Sequence, residues 1–378
     1  MISRFYIPVR LVFGDGAIDQ LGEEAKAIGK KALIVTYPDI RKVGLLDRVE
    51  KNLKENGVDT LAFEEVEPNP RSSTIDRGAD IVRKEKVDLV IGLGGGSAMD
   101  AAKGIATASS GKTSVWDYVI KKSGVTGSVP SLIQVPTMAG TGSEMNAVAI
   151  ISNWETHEKS ALMNPCQWAK VSIVDPAITV TVPRNQTAAG GVDTFSHLVE
   201  YYCMPESPLP LNDAYREAVL KIVVKYLPKA LANLDDLEAR IQLSWASTIA
   251  MSNLAQLGGT VGFMTCHGIE HAVSGKYDVT HGAGLAALLP AWMRSILPVR
   301  KARLDMLGKN VFGKSDGIKA FEEWLEEVGM RVRLRDMGCE PEAADEIADL
   351  TIRTFPALNL HPTKLDAEAI ARIYRESC

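Results

Sequence analysis

The chain has little that would suit it to an oxidising compartment or a membrane. Its five cysteines, Cys166, Cys203, Cys266, Cys339 and Cys378, are odd in number and include no Cys-x-x-Cys pair. That argues against a disulfide framework or a thiolate zinc site and fits reduced thiols in a cytoplasm. The first residues, MISRFYIPVRLVFG, lack the apolar stretch and small-residue cleavage site of a secretory signal, so a cytoplasmic location is expected. No apolar run approaches the roughly 20 residues needed to cross a bilayer. No charge of one sign dominates: the net charge is −5, and acidic and basic residues are mixed along the chain. Without a basic patch or tail, neither nucleic acid nor an anionic membrane is an expected partner. Internal repeats and low-complexity segments are also lacking.

What remains is ordinary globular material, 46% hydrophobic and 24% charged, in a chain of 378 residues. That length suggests two domains, each with its own core. In the first half, short apolar runs alternate with helical patterns. KALIVT (31–36), DTLAFEEV (59–66), VDLVIGLGGGS (87–97), SLIQVPT (131–137) and KVSIVDP (170–176) read as strands. LLDRVEKNLKENG (45–57), SSTIDRGADIVRKEK (72–86) and AMDAAKGIATAS (98–109) read as helices between them. Such alternation predicts a parallel sheet with helices on both faces. After residue 183 nearly all of the periodicity is helical. We place the boundary there, giving an α/β domain at 1–183 and an all-helical domain at 184–378.

Two glycine turns follow strands. GLGGGSAMDAAKG (92–104) puts Gly94, Gly95, Gly96 and Ser97 at a strand-to-helix junction. The glycines allow close approach of a phosphate, and the helix supplies free N–H groups and its positive dipole end. PTMAGTGSEMN (136–146) adds the hydroxyls of Thr137, Thr141 and Ser143. The first turn alone has a rival reading as a tight structural turn, and each threonine of the second reads equally as a local turn cap. Two such turns at strand C-termini are what an open α/β sheet uses to bind a dinucleotide.

Histidine is scarce and clustered. Three of the six histidines, His267, His271 and His281, fall within fifteen residues. Upstream, Asp193 and His197 are four apart in GGVDTFSHLVE, on one face of a helix. Asp193, His197, His267 and His281 make a complete shell for a divalent metal. Three imidazoles and one carboxylate suit Fe²⁺ or Zn²⁺ better than Ca²⁺ or Mg²⁺. Glu200 and Glu270 are competing carboxylates, read as supports for the ligands or as surface groups. His271, one turn from His267, is left over; it either relays a proton or packs as a core histidine. His157 and His361 read as ordinary core or surface residues, and Cys266 as a small buried thiol.

These segments together resemble the iron-dependent (group III) alcohol dehydrogenases. The resemblance covers nearly the whole chain: FYIPVRLVFGDGAIDQLG, VEPNPR, GGGSAMDAAKGIA, PTMAGTGSEMN, the Lys159 segment, IVDPAITVTVPRNQTAAGGVDTFSHLVEYY and HGIEHAVSGKYDVTHGAGLAALLP. EPNPR, SEMNAVAIISNWETHEK and KALANLDDLEARIQLSWAS look closest to the butanol-dehydrogenase-like branch, which reduces aldehydes broadly. The resemblance implies a dehydroquinate-synthase-like architecture: a dinucleotide-binding domain, a helical metal-binding domain, and the metal in the cleft between them. It implies that Asp193, His197, His267 and His281 ligate the metal, that Gly95, Gly96 and Ser97 hold the pyrophosphate, and that Thr137 and Thr141 lie along the cofactor. Lys159 would reach the ribose and His271 would stand beside the nicotinamide. The implied activity is reversible hydride transfer between a small primary alcohol or aldehyde and NAD(P), with Fe²⁺ or Zn²⁺, in a homodimer or higher homo-oligomer.

One stretch departs from the pattern. Where butanol-type relatives carry a glycine-rich turn ending in serine, this chain reads VTYPDIRK (35–42). Asp39 suits a free ribose 2′-hydroxyl, which leans the expectation to NAD, or it caps the next turn; Arg41 and Lys42 suit the 2′-phosphate of NADP. On the same fold, a dehydroquinate-synthase-like lyase or a glycerol-dehydrogenase-like enzyme is the rival reading. The lyase needs basic side chains at the site, and the metal segments hold almost none. A non-catalytic metal or nucleotide sensor is the third.

Overall fold

The computed structural model describes residues 6–256 and 264–378. Residues 1–5, part of the segment read for a secretory signal, lie outside them. The chain divides into two units: Ile7–Val182, and Pro183–Cys378 together with the N-terminal end. Asn253 donates to the Tyr6 carbonyl at 2.8 Å, which ties that end to the helical unit.

The first unit contains the strands β1 (Arg10–Phe13), β2 (Lys31–Val35), β3 (Asp59–Phe63), β4 (Leu89–Gly94), β5 (Ser131–Pro136), β6 (Val148–Asn153), β7 (Glu158–Met163) and β8 (Val171–Val174). Its helices are α1 (Leu21–Lys26), α2 (Leu45–Glu55), α3 (Ser72–Glu85), α4 (Gly96–Ala108) and α5 (Val115–Val119). Six strands form one parallel sheet in the order β1-β8-β5-β4-β2-β3. Successive residues of a strand face opposite sides. Ala32 and Ile34 therefore join Leu46, Val49 and Leu53 of α2 on one face, while Leu33 and Val35 join Ile75 of α3 and Ile105 of α4 on the other. Burial on both faces is why these strands read as continuous apolar runs. The strand order reverses between β2 and β4, so the crevice where open α/β sheets bind ligands lies beyond their C-terminal ends. Tyr37 and the first glycine turn stand there.

Three features were not foreseen from the sequence. β1 forms a sheet edge beside β8. β6 and β7 make a separate antiparallel hairpin, tied to the preceding segment where the Ser152 N–H donates to the Pro70 carbonyl at 2.9 Å. In the second unit, a long helix carries two prolines.

That unit is built from α6 (Arg184–Cys203), α7 (Pro210–Ala232), α8 (Leu237–Ala250), α9 (Thr265–Tyr277), α10 (His281–Leu307), α11 (Gly317–Glu327), α12 (Ala344–Thr354) and α13 (Ala367–Ser377). Aspartates cap several of them: Asp236, Asp316 and Asp366 accept from the first-turn N–H groups of α8, α11 and α13. α6 is buried on every side from Thr187 to Cys203, so it forms the centre of the unit. α10 runs through Pro290 and Pro298 and kinks at Arg300. Contrary to the reading of apolar runs, the stretch His281–Phe312 is long and apolar enough to span a bilayer. It is a core helix instead: 67% of its apolar window is buried, and Arg303 within it forms a two-pronged ion pair with Asp213 of α7 at 2.7 Å.

Candidate functional site

α6 presents Asp193, His197 and Glu200 at helical spacing, so all three share one face. α9 presents His267, Glu270, His271 and Ser274 in the same way. α9 ends at Asp278, whose left-handed backbone turns the chain, and His281 opens α10 three residues later. These elements bring the four candidate ligands together. The Nε2 atoms of His197, His267 and His281 lie 3.2, 3.7 and 3.6 Å from one oxygen, Asp193 Oδ1. Donors about 2.1 Å from a tetrahedral ion are roughly 3.4 Å from one another, so this spacing fits such an ion. The Asp193 Oδ1 and His267 Nε2 atoms are buried, and within the described residues neither has a hydrogen-bond partner. Buried polar atoms are seldom left so, and a divalent cation satisfies both at once.

Behind the donors stand two fully buried carboxylates. Glu200 binds His267 Nδ1 with one oxygen and accepts the Cys266 N–H with the other at 2.6 Å. Glu270 binds His281 Nδ1 and accepts the Ser274 hydroxyl. Each accepts the Nδ1 proton of its histidine, so Nε2 is the nitrogen left to face the candidate metal position. Both carboxylates are supports, not surface groups. His271 is buried beside this cluster, its ring centre 5.6 Å from that of His281 and 6.4 Å from that of His267. Burial pushes Asp193 upward, but His197, His281 and His267 reverse this and hold its carboxyl below the usual range. Burial drives His197 down to about 3. Burial also opposes a charge on His267, yet Glu200 and Asp193 raise it to about 9, so metal binding there must displace a proton.

The two glycine turns meet in the first unit. The Thr137 N–H donates to the Gly94 carbonyl at 3.0 Å. Gly96 lies so close to Thr141 that a Cβ there would stand 2.4 Å from Thr141 Cγ2. Gly95 is the N-cap of α4, and Ser97 lies in its first turn. Lys159, on β7, is buried and donates to Asn69 Oδ1 at 2.8 Å. Asp39 is exposed and pairs with Lys42 at 2.8 Å. It does not cap the turn Pro38–Val43, which has Tyr37 at its N-cap and no side-chain cap. Arg41 is held by Asp47, Glu50 and Glu64 at 2.6, 3.1 and 3.0 Å.

A buried polar cluster beneath these turns was missed. Lys103 of α4 contacts Ser143, Asn146 and the Val148 carbonyl, and Asp100 accepts from Ser143 and from the Ile150 N–H. Burial pulls Lys103 down to about 8 against the opposing pull of Asp100 and Glu144. The available signal was a lysine and an aspartate three residues apart in the Ala- and Gly-rich stretch AMDAAKGIA.

Comparison with known proteins gives the family. The model of the iron-containing alcohol dehydrogenase family matches residues 8–176, and that of the C-terminal part of the Fe-containing alcohol dehydrogenase family matches 187–378. The chain is 37% identical to NADH-dependent butanol dehydrogenase A of Clostridium acetobutylicum, over 100% of both chains. It is 38% identical to the probable NADH-dependent butanol dehydrogenase 1 of Bacillus subtilis, over 94% of this chain and 96% of that one. The crystal structure of NADH-dependent butanol dehydrogenase A from Thermotoga maritima superposes with a TM-score of 0.93 at 33% identity, covering 100% of this chain and 98% of the other. The chain belongs to the iron-containing alcohol dehydrogenase family and is an oxidoreductase acting between alcohols and aldehydes.

Proposed function

We propose that the chain interconverts a small, butanol-like primary alcohol and its aldehyde with NAD(H), the metal being Fe²⁺, with Zn²⁺ as the other candidate. The observation that carries this reading is the convergence of three imidazole Nε2 atoms on Asp193 Oδ1, with Glu200 and Glu270 behind them. Asp193, His197, His267 and His281 hold the metal. When bound, the metal polarises the alcohol or carbonyl oxygen and the nicotinamide takes up or gives up hydride. His271, beside the ligands and not among them, carries the hydroxyl proton to and from solvent. In the first unit, Gly95, Gly96 and Ser97 hold the pyrophosphate through N–H groups and the α4 dipole, Thr137 and Thr141 lie along the cofactor, and Lys159 reaches the ribose.

The ion pairs beyond β2 support NAD over NADP. Arg41 is committed to three carboxylates and Lys42 to Asp39, so both cations that suit a 2′-phosphate are already neutralised. The NADH-dependent relatives point the same way. We further propose a cytoplasmic homo-oligomer; the five free cysteines support the reducing compartment, and light scattering reads the oligomeric state.

The test is metal analysis of the purified protein, paired with reduction of butyraldehyde by NADH before and after chelation. Activity that needs bound Fe²⁺ or Zn²⁺ is expected. Full turnover by the metal-free protein would refute the assignment.

A further inference from the structure

Glu270 and His271 are neighbours on α9, and His281 opens α10 after a short turn. One donor atom from each of these three side chains lies within 4.8 Å of the other two. Glu270 and His271 are buried. The rings of His271 and His281 stand 5.6 Å apart, tilted by 37°. Glu270 is fixed from two sides. One of its oxygens accepts the Ser274 hydroxyl. Gly284 packs against it so closely that a Cβ there would stand 3.0 Å from Glu270 Cγ and Oε1. The other oxygen meets His281 Nδ1. The His281 ring therefore points its nitrogens two ways, Nε2 toward Asp193 and Nδ1 toward Glu270.

We infer that Glu270, His271 and His281 form a second divalent-metal site, which Zn²⁺ in excess fills and which silences the enzyme when filled. Two imidazoles and one glutamate are a zinc donor set in their own right. Around a tetrahedral ion such donors stand roughly 3.4 Å apart, so the ion draws the three inward. It takes the place of the proton between His281 Nδ1 and Glu270. That proton leaves to solvent, and the His281 imidazolate bridges the two metals. The negative charges of Asp193, Glu200, Glu270 and that imidazolate then offset the repulsion between two divalent ions. The second ion displaces a support of the first shell, so it binds at least about a hundredfold more weakly than the first. The Irving–Williams order favours Zn²⁺ over Fe²⁺ there. Once bound, the ion occupies the ring nitrogen that His271 needs for moving a proton. Inhibition thus rests on the proposed reading of His271 as the proton relay; binding of the second ion does not.

The test starts from intact protein loaded with a single Fe²⁺ per chain. Equilibrium dialysis against free Zn²⁺ up to about 1 mM, followed by elemental analysis, should add a second ion while the iron is retained. His271→Ala should keep the first ion and bind the second at least about tenfold more weakly. A wild type that takes up no second ion overturns the inference, as does a second ion bound equally well by His271→Ala. Should that variant not fold, anomalous scattering from zinc-soaked wild-type crystals decides the matter. A zinc peak between Glu270, His271 and His281 is expected; no peak there overturns the inference. Over the same Zn²⁺ range, reduction of butyraldehyde by NADH should fall at least about tenfold and recover when the second ion is dialysed away. Full activity with the second ion bound, or inhibition that follows loss of iron, overturns the silencing role. Iron-loaded protein that shows no turnover before zinc is added would sink the proposed function itself, while the count of bound ions would still stand.

Discussion

Replacing Glu200 by glutamine changes almost no volume, yet it forces a choice on His267. The native carboxylate serves two donors, the Cys266 N–H at 2.6 Å and His267 Nδ1. Glutamine offers one oxygen and one NH₂ in the same place. If the oxygen keeps Cys266, the NH₂ faces Nδ1, which must then be unprotonated. The ring proton moves to Nε2, the atom aimed at the metal, and that tautomer cannot ligate. If the amide turns over, His267 keeps its tautomer and the Cys266 N–H is left facing an NH₂ in a site closed to water. An unsatisfied buried donor costs ~1–3 kcal/mol. Either route should weaken metal binding by about 10- to 100-fold, the range for lost supports behind metal-bound histidines. The assay is competition between apo-protein and a chelator for Zn²⁺ or Co²⁺, with circular dichroism to show that α6 and α9 stay folded. Glu270→Gln should weaken binding less, because the His281 side chain is 23% exposed and water can replace the lost acceptor. Wild-type affinity in Glu200→Gln would refute the tautomer argument.

Other expectations follow from the same geometry. His267→Ala should lose the metal and its turnover, whereas His271→Ala should keep the metal and slow proton transfer by about 10²–10⁴; elemental analysis and the pH profile of kcat separate the two. NADH should exceed NADPH in kcat/KM by about tenfold or more, or ~1.4 kcal/mol, and equal use of both would remove the argument from Arg41 and Lys42. Gly282→Ala would put a Cβ 2.1 Å from the Ala189 carbonyl oxygen of α6; a loss of about 3 kcal/mol is expected in chemical denaturation, together with lower metal content. His361 is driven down to about 4, first by burial and then by Arg300. The unfolded chain binds its proton first on acidification, so this stability is full above about pH 6.5 and is lost as pH falls toward 4. Roughly 2 kcal/mol should disappear between about pH 7 and pH 5, and His361→Gln should flatten that slope in urea titrations.

Much of this was legible because the informative residues are rare or repeat with a strict period. Strands buried on both faces cannot hide, as Leu33, Ile34 and Val35 illustrate. Six histidines in so long a chain make a cluster of three conspicuous. β1 was overlooked because RLVF is short and only half-buried at the sheet edge. The β6–β7 hairpin went unread because its residues alternate weakly and its strands stand outside the main sheet. Pro290 and Pro298 obscured α10, since proline usually ends a helix and tertiary packing overrides it here. The roles of Glu200 and Glu270 needed coordinates: nothing in their spacing says that a carboxylate faces the back of an imidazole.

The β6–β7 hairpin resembles a loop excursion, the kind of segment in which insertions and deletions are usually absorbed. Its first strand nevertheless supplies the Val148 carbonyl to Lys103 and the Ile150 N–H to Asp100. Shortening it would remove an acceptor from a buried cation and a donor from a buried anion. Its second strand carries Lys159, so even a change of one residue would also re-aim that side chain. The hairpin is therefore fixed in length by two ionised groups that lie on a neighbouring helix.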